Sequence, residues 1–306
     1  MRESRAEPLS PIDAATLWPQ MHRLATEVIA TRAGENLLIT SGLAATGLTR
    51  LPRVPRTAVL GVKRGLGYHG VLVARELAGG AGWEVVSLRI AREKHDDVVI
   101  DLLAGAGVEV ARRGGRTLYL RYPESSPHRD AIRRAGLMAY RIERLYAITA
   151  TVAPSHTQFR PAARSDRHGV FRLYCRTVPE HIRRQEAPTQ QDWRSVHDSY
   201  DCEREFVLDR DGALDGWAGF GDRECRLLID PMVEGLVDAA LDLVELHAPR
   251  HGTLVLGEDQ GSLEGTAIAR GYTPLGVRLL CARRLALLNP LKEVVAVPAG
   301  SQALPQ

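Results

Sequence analysis

Few stretches of this chain place chemistry-bearing residues at a useful spacing. "GLGYHG", residues 65–70, matches G-x-G-x-x-G and follows the strand-like run "TAVLGV". Such glycines let a backbone approach a dinucleotide's pyrophosphate, provided that a helix follows and an acid ends the next strand. The next apolar run, "WEVVSLRI", ends without an acid, and the same glycines suit a hairpin turn and close strand packing. His247 and His251 stand i,i+4 in "HAPRH", a spacing that could chelate a metal on a helix, but Pro249 between them breaks that helix, so no metal site is expected. No serine sits in a nucleophile elbow, and no P-loop lysine motif occurs.

Bulk properties narrow the field further. The 306 residues suggest two domains, and the 44% apolar and 25% charged shares are ordinary for globular cores. Net charge is only +3, and of 40 basic residues just Lys63, Lys94 and Lys292 are lysines. Basic stripes such as "RRGGR" (112–116) are short, so a nucleic-acid surface is not expected. Cys175, Cys202, Cys225 and Cys281 are scattered without C-x-x-C spacing, as suits reduced thiols. No apolar run approaches the roughly 20 residues that span a bilayer, and "MRESRAEPLSP" lacks an apolar core of the signal-peptide kind. The expected location is the cytoplasm, with no membrane partner.

The elements that must position any site read as one order written twice. After a loose tail over residues 1–10, "SPIDAATLW" and "MHRLATEVIATRA" read as helical, with Ser10 or Asp13 as cap. "RTAVLGVKRG", "HGVLVARELAGG" and "WEVVSLRIA" read as a three-strand meander. "DDVVIDLLAGAGVEVARRGG" has helical spacing, weakened by Gly105 and Gly107. Strand "RTLYLRY", short helix "PHRDAIRRA" and strand "YRIERLYAITA" close the first half. "PSHTQFRPAARSDRHG" (154–169) reads as a linker. The second half repeats the order, from "VFRLYCRTVPEHIRRQ" and "TQQDWRSVHD" through three strands, the amphipathic "MVEGLVDAALDLVELH", strand "TLVLG", helix "LEGTAIAR" and strand "VRLLCARRLALL". The stop glycines Gly136 and Gly271 lie 135 residues apart, and Thr117 and Thr253, which open the strand after each long helix, lie 136 apart. Two landmarks in step argue for duplication. The expected boundaries are 11–151 for the first unit, 152–168 for the linker, 169–288 for the second unit and 289–306 for a tail.

"LYLRYPESSPHRDAIRRAGLMAYRIERLYA" and "LVLGEDQGSLEGTAIARGYTPLGVRLLCAR" carry a resemblance to the GNAT superfamily of acyl-CoA-dependent N-acyltransferases. The resemblance covers most of the chain, once per half, and rests on element order rather than a complete signature. It implies an α+β fold, two tandem units each with a mixed, mainly antiparallel sheet flanked by helices. Their sheets or their last strands are expected to pack against one another across a pseudo-twofold. It also implies a chemistry in which strands four and five splay apart, the pantetheine arm pairs with strand four, and a substrate amine attacks the thioester. In the first half the strand-four edge is the end of "WEVVSLRIA", which makes Leu88, Ile90 and Ala91 the carrier-binding residues. Lys94 takes the cationic place in the diphosphate loop, with His95 beside it.

The sequence departs from the pattern at several points. His95 and Asp97 stand at glycine positions, and Asp96 and Asp97 oppose an anion, although both also suit a helix N-terminus. In the second half Glu234 replaces the cation and Val237 a glycine. The acid tyrosine, four residues before the stop glycine, is replaced by Ile132 and Ala267. Glu124 and His128 are the nearest titratable groups for catalysis; each also reads as a loop residue or helix cap.

Two functions follow as expectations. The first is an acyl-CoA-dependent N-acetyltransferase acting from the first half, with acetyl-CoA or another acyl-CoA as co-substrate, on a small-molecule or protein amine. The second is a non-catalytic tandem module binding a ligand or partner. Self-association into a homo-oligomer is left open.

Overall fold

The computed structural model describes residues 6–10, 13, 16–24, 26–30, 56–65, 67–91, 95–148, 158–210, 212–249 and 251–286. The first half contributes strands β1 (Glu7–Pro8), β2 (Thr26–Ala30), β3 (Thr57–Arg64), β4 (Gly67–Glu76) and β5 (Gly82–Ile90), helix α1 (Asp96–Arg112), β6 (Thr117–Pro123), helix α2 (Arg129–Arg134) and β7 (Met138–Ala147). The second contributes β8 (Arg160–Pro161), helices α3 (Arg167–Thr177), α4 (Glu180–Glu186) and α5 (Gln190–Ser199), strands β9 (Arg204–Arg210), β10 (Ala213–Phe220) and β11 (Glu224–Ile229), α6 (Leu236–His247), β12 (Thr253–Gly257), α7 (Gly261–Ala269) and β13 (Thr273–Arg284). Among the described residues no helix is long and apolar enough to cross a membrane.

Among the described residues, thirteen strands join one sheet in the order β1-β3-β4-β5-β6-β13-β7-β12-β11-β10-β9-β8, with β2 attached to β5. The duplication is visible in the register. Each half has one parallel junction of three pairs, Gly82–Thr117 to Glu84–Tyr119 and Glu224–Thr253 to Arg226–Val255. Both ladders therefore open on the threonines whose spacing marked the repeat. The last strands have changed places. β13 lies against β6 of the first half, β7 lies against β12 of the second, and the two pair with each other. Glu143 and Arg278 face one another in that central pairing, again 135 residues apart, so the pseudo-twofold axis passes through them.

Four apolar clusters coat the sheet. On one face α1 and α2 pack Val98, Leu102, Leu103 and Ile132 onto Leu72, Leu88, Leu118 and Leu120, and α6 and α7 do the same over Leu227, Ile229, Leu254 and Leu256. On the other, Leu9, Leu17 and Leu24 cover Val59, Val71 and Val86, while α3 to α5 cover Val207, Trp217 and Leu228 and reach Leu77 and Tyr119 of the first half.

Two sequence expectations change. Within "MHRLATEVIATRA", residues 26–30 form strand β2 instead of helix, as the β-branched Thr26, Val28 and Ile29 permit once a partner edge exists. Parts of the expected tail and linker are strands: β1 pairs with β3 and β8 with β9. Helix α1 runs through both its glycines, and a Cβ at Gly105 would stand 2.9 Å from that of Ala6. "GLGYHG" is a hairpin. Gly65, at φ +61°, makes the turn, and a Cβ on Gly70 would collide with Val98 and Leu102 of α1 at 2.6 and 2.8 Å. The sheet around it is antiparallel, which removes the dinucleotide reading.

Candidate functional site

Strand β5 has two edges. Over Gly70 to Glu76, β4 pairs with one of them along the whole of Trp83 to Ile90. The other meets β6 only as far as Glu84–Tyr119 and is then free to splay. That freed edge is where the resemblance places the carrier's pantetheine arm, at Leu88, Ile90 and Ala91. Strand β2 lies along it, antiparallel, with Thr26 opposite Ile90, Glu27 opposite Arg89, Ile29 opposite Leu88 and Ala30 opposite Ser87. The edge that Leu88 and Ile90 are expected to offer to a cofactor carries the chain's own strand in this structure. Ala91 lies just beyond, its N–H donating to the His69 carbonyl at 2.9 Å.

The diphosphate end of this cleft, at the start of α1, is also committed. Asp96 and Asp97 lie in the first turn, and Asp97 pairs with Arg64. His128, expected as a catalyst, is 3% exposed and sets its Nδ1 2.9 Å from Asp96 Oδ1. It secures the junction of α1 and α2 rather than facing the splay. Glu124 is exposed at the end of β6, its backbone N–H donating to the Val277 carbonyl at 2.9 Å, and the two do not meet. His95 precedes α1, its ring 5.6 Å from that of His69. Lys94 lies outside the described residues. At the tyrosine positions, Ile132 and Ala267 are fully buried packing residues.

The second cleft opens between β11 and β12 beyond Arg226–Val255. Its edge is closed by a side chain. Gln260, 2% exposed, accepts from the Ile229 N–H at 3.0 Å and returns its own N–H to the Ile229 carbonyl at 3.5 Å. One amide thus imitates a strand neighbour. At the loop before α6, the Met232 N–H goes to the Asp230 carboxylate at 3.0 Å and the Val233 N–H to the Asp230 carbonyl at 3.2 Å, while Glu234 is exposed beside them.

Because the last strands are exchanged, β7 of the first half lines this second cleft. A cavity of about 30 Å³ lies there among Arg141, Glu143, Tyr174, Tyr200, Trp217 and Arg226, room for a water or two. Around it runs a buried ionic network. Arg226 and Arg278 hold Glu143, the latter at 2.8 Å. Arg141 bridges Glu186 at 3.3 Å and Asp259 at 2.6 Å. Arg121 pairs with Glu84 at 2.6 Å and donates to the Ser199 carbonyl at 3.0 Å. Burial raises the proton affinity of Glu143, but Arg226, Arg278 and Arg121 outweigh it and hold its carboxyl well below the usual range. Glu186 goes the other way: burial pushes it up against the pull of Arg141 and Tyr174. These residues were missed from the sequence. The available signal was the charge pair at alternate positions of "YRIERLYA", Arg141 and Glu143, on one face of a strand.

Among the described residues, the places that acetyl-CoA would take in such a fold are occupied by the chain itself. One cleft edge carries β2, the other carries Gln260, and the first half's helix N-terminus presents carboxylates already engaged by Arg64 and His128.

No protein-family model and no curated protein sequence matches the chain. Solved structures do. A putative acetyltransferase from Pyrococcus horikoshii aligns at a TM-score of 0.53 with 8% identity, covering 94% of this chain and 91% of that one. A GCN5-related N-acetyltransferase from Sphaerobacter thermophilus aligns at 0.52 with 13% identity, covering 93% and 96%. A tandem GNAT protein from the clavulanic acid biosynthesis pathway aligns at 0.49 with 16% identity, covering 92% and 98%. At such identities the first two speak for the fold alone. Joined to the twice-written element order and the two three-pair splays, they place this chain in the tandem GNAT-superfamily fold.

Proposed function

We propose that this protein is a non-catalytic tandem GNAT-fold module, which keeps the scaffold for a ligand or partner and does not itself transfer acyl groups. The observation that carries this reading is β2 on the splayed edge of β5. Gln260 on the second edge supports it, as do Ile132 and Ala267, neither of which can protonate a leaving thiolate. Among the described residues of the first half, Glu84 is paired with Arg121 and His128 with Asp96.

One observation favours the other reading, an acyl-CoA-dependent N-acyltransferase acting on a small-molecule or protein amine. Both parallel ladders still break after three pairs, which is the opening such chemistry needs. Melting the whole protein with millimolar acetyl-CoA separates the two. A carrier at 100 times its Kd adds about 2.7 kcal/mol, a shift on the order of 5–11 °C at about 2–4 °C per kcal/mol. The module reading expects no shift and no thiol release with a panel of amines. A shift accompanied by amine-dependent thiol release would replace it with the transferase.

A further inference from the structure

We propose that the chamber between α3, α5 and the sheet binds a small apolar carboxylate, whose head meets three donors that the protein leaves unused and whose chain passes out between Trp193 and His197. The inference deepens the reading just given by naming a class of ligand for the module, and it rests on that reading. Arg141 and Arg226 line the chamber, each 7% exposed, and each keeps a buried Nε without an acceptor among the described residues. Their other guanidinium nitrogens are engaged, by Glu186 and Asp259 for Arg141 and by Glu143 and Glu224 for Arg226. Tyr200 completes the set. Its ring carries the Arg226 guanidinium at 4.6 Å, and its hydroxyl makes no hydrogen bond among the described residues. A buried donor left unmade is costly, so three of them beside one cavity call for an acceptor that enters from outside.

The class of that acceptor follows from the walls. An ammonium group, the kind of head that an amine substrate carries, would meet these donors and a carboxylate, Glu143, whose two oxygens are taken by Arg226 and Arg278. A carboxylate accepts several hydrogen bonds at once, and bonds to an ionised acceptor are the stronger kind. Glu186 does not bar an anion, because burial pushes its carboxyl up against the pull of Arg141 and Tyr174, and a proton taken up there balances the incoming charge. The volume of about 30 Å³ takes a head group alone. Trp193 and His197 line this chamber and also a groove of about 270 Å³, which runs between Ala78 of the first half and Arg194 and Cys202 of the second. His197 sets Nε2 3.2 Å from Glu205, and its ring lies 4.9 Å from Trp193 and 5.4 Å from Trp217. A chain leaving the chamber here lies against aromatic rings, which favours an apolar one. This way in opens at the junction of the halves, on the face that α3 to α5 cover, and uses no strand edge.

The test titrates the full chain with sodium butyrate and with butylammonium chloride at one ionic strength, two probes that share a chain and differ in the charge of the head, and follows binding by ligand-observed NMR. Butyrate is expected to bind saturably and butylammonium at least tenfold more weakly. Tyr200→Phe keeps the ring under Arg226 and removes a hydroxyl that bonds to nothing in the folded chain, so it should weaken butyrate at least tenfold. No saturable binding of butyrate would mean that the chamber holds water only. That result, equal or tighter binding of butylammonium, or an unchanged affinity in a folded Tyr200→Phe overturns the carboxylate site and leaves the module reading standing. Should the variant not fold, the wild type decides. The butyrate methyl group should show nuclear Overhauser contacts to the Trp193 ring, and contacts confined to other residues overturn the placement. Amine-dependent turnover of acetyl-CoA by the wild type would instead remove the module reading, and this inference with it.

Discussion

At the scale of single residues the centre of the molecule is governed by Glu143. It lies on the pseudo-twofold axis opposite Arg278, 1% exposed, and it answers Arg226 as well. A buried carboxylate is costly alone and tolerable only when its partners surround it, so removing one member is worse than never having built the group. Glu143→Gln leaves two buried guanidinium groups short of charge and is expected to lower stability by about 3–5 kcal/mol, measured by urea denaturation at pH 7. The pH dependence has a definite sign. Glu143 titrates below its unfolded value in the folded protein, because Arg226, Arg278 and Arg121 outweigh its burial. Its contribution is thus fully present above the ordinary carboxylate range and is lost as pH falls through the lowered value. The acid limb of the stability profile should be shallower in Glu143→Gln than in the wild type, and an unchanged limb would place the acid sensitivity elsewhere.

Elements are set by shorter-range rules. Helices α2 and α7 end at Gly136 and Gly271, both in the left-handed region at φ +84° and +89°. A side chain there is strained whatever room surrounds it, by about 1–2 kcal/mol. A Cβ at Gly271 meets nothing within 4 Å, so Gly271→Ala isolates the backbone cost. Gly265, inside α7 and equally open, is the control: its change to Ala should stabilise by about 0.4–1 kcal/mol through the unfolded chain. Opposite shifts of the melting temperature are expected for the two variants. This turn was readable in the sequence, because a glycine and an apolar residue after a short helical run have one mechanical meaning. β2 was not. "MHRLATEVIATRA" alternates ambiguously between helix and strand periods, and strand propensity takes effect only where a partner edge is offered.

Over the whole molecule the exchange of last strands joins the halves more firmly than any linker. β13 sits between β6 and β7, and β7 continues into β12, so each half completes its sheet with a strand from the other. Residues 1–151 expressed alone would present β6 and both sides of β7 as unpaired edges, which invites aggregation. That fragment should be insoluble or lack a cooperative transition, while co-expression with residues 152–306 should recover a soluble complex by size-exclusion chromatography and circular dichroism. A folded, monomeric first half would show that the exchange is dispensable.

What the sequence determined by itself was the repeat. Periodicity, the stop glycines and the paired threonines are local signals, and from β3 to β7 and from α3 to β13 the element order they spell is the order found, down to Thr117 and Thr253 opening the two parallel ladders. Only the tertiary structure decided what became of the clefts. His128 reads as a titratable group near a strand end, but whether it faces a cavity or Asp96 depends on how α1 and α2 pack. Ser87–Ile90 read as a strand-four edge, but whether that edge is open depends on a segment some sixty residues earlier in the chain. Arg141 and Glu143 read as first-half residues, yet strand exchange places them in the second cleft. Hydrogen-bonding edges and buried charges find their partners through space, so no neighbour in the sequence could announce them.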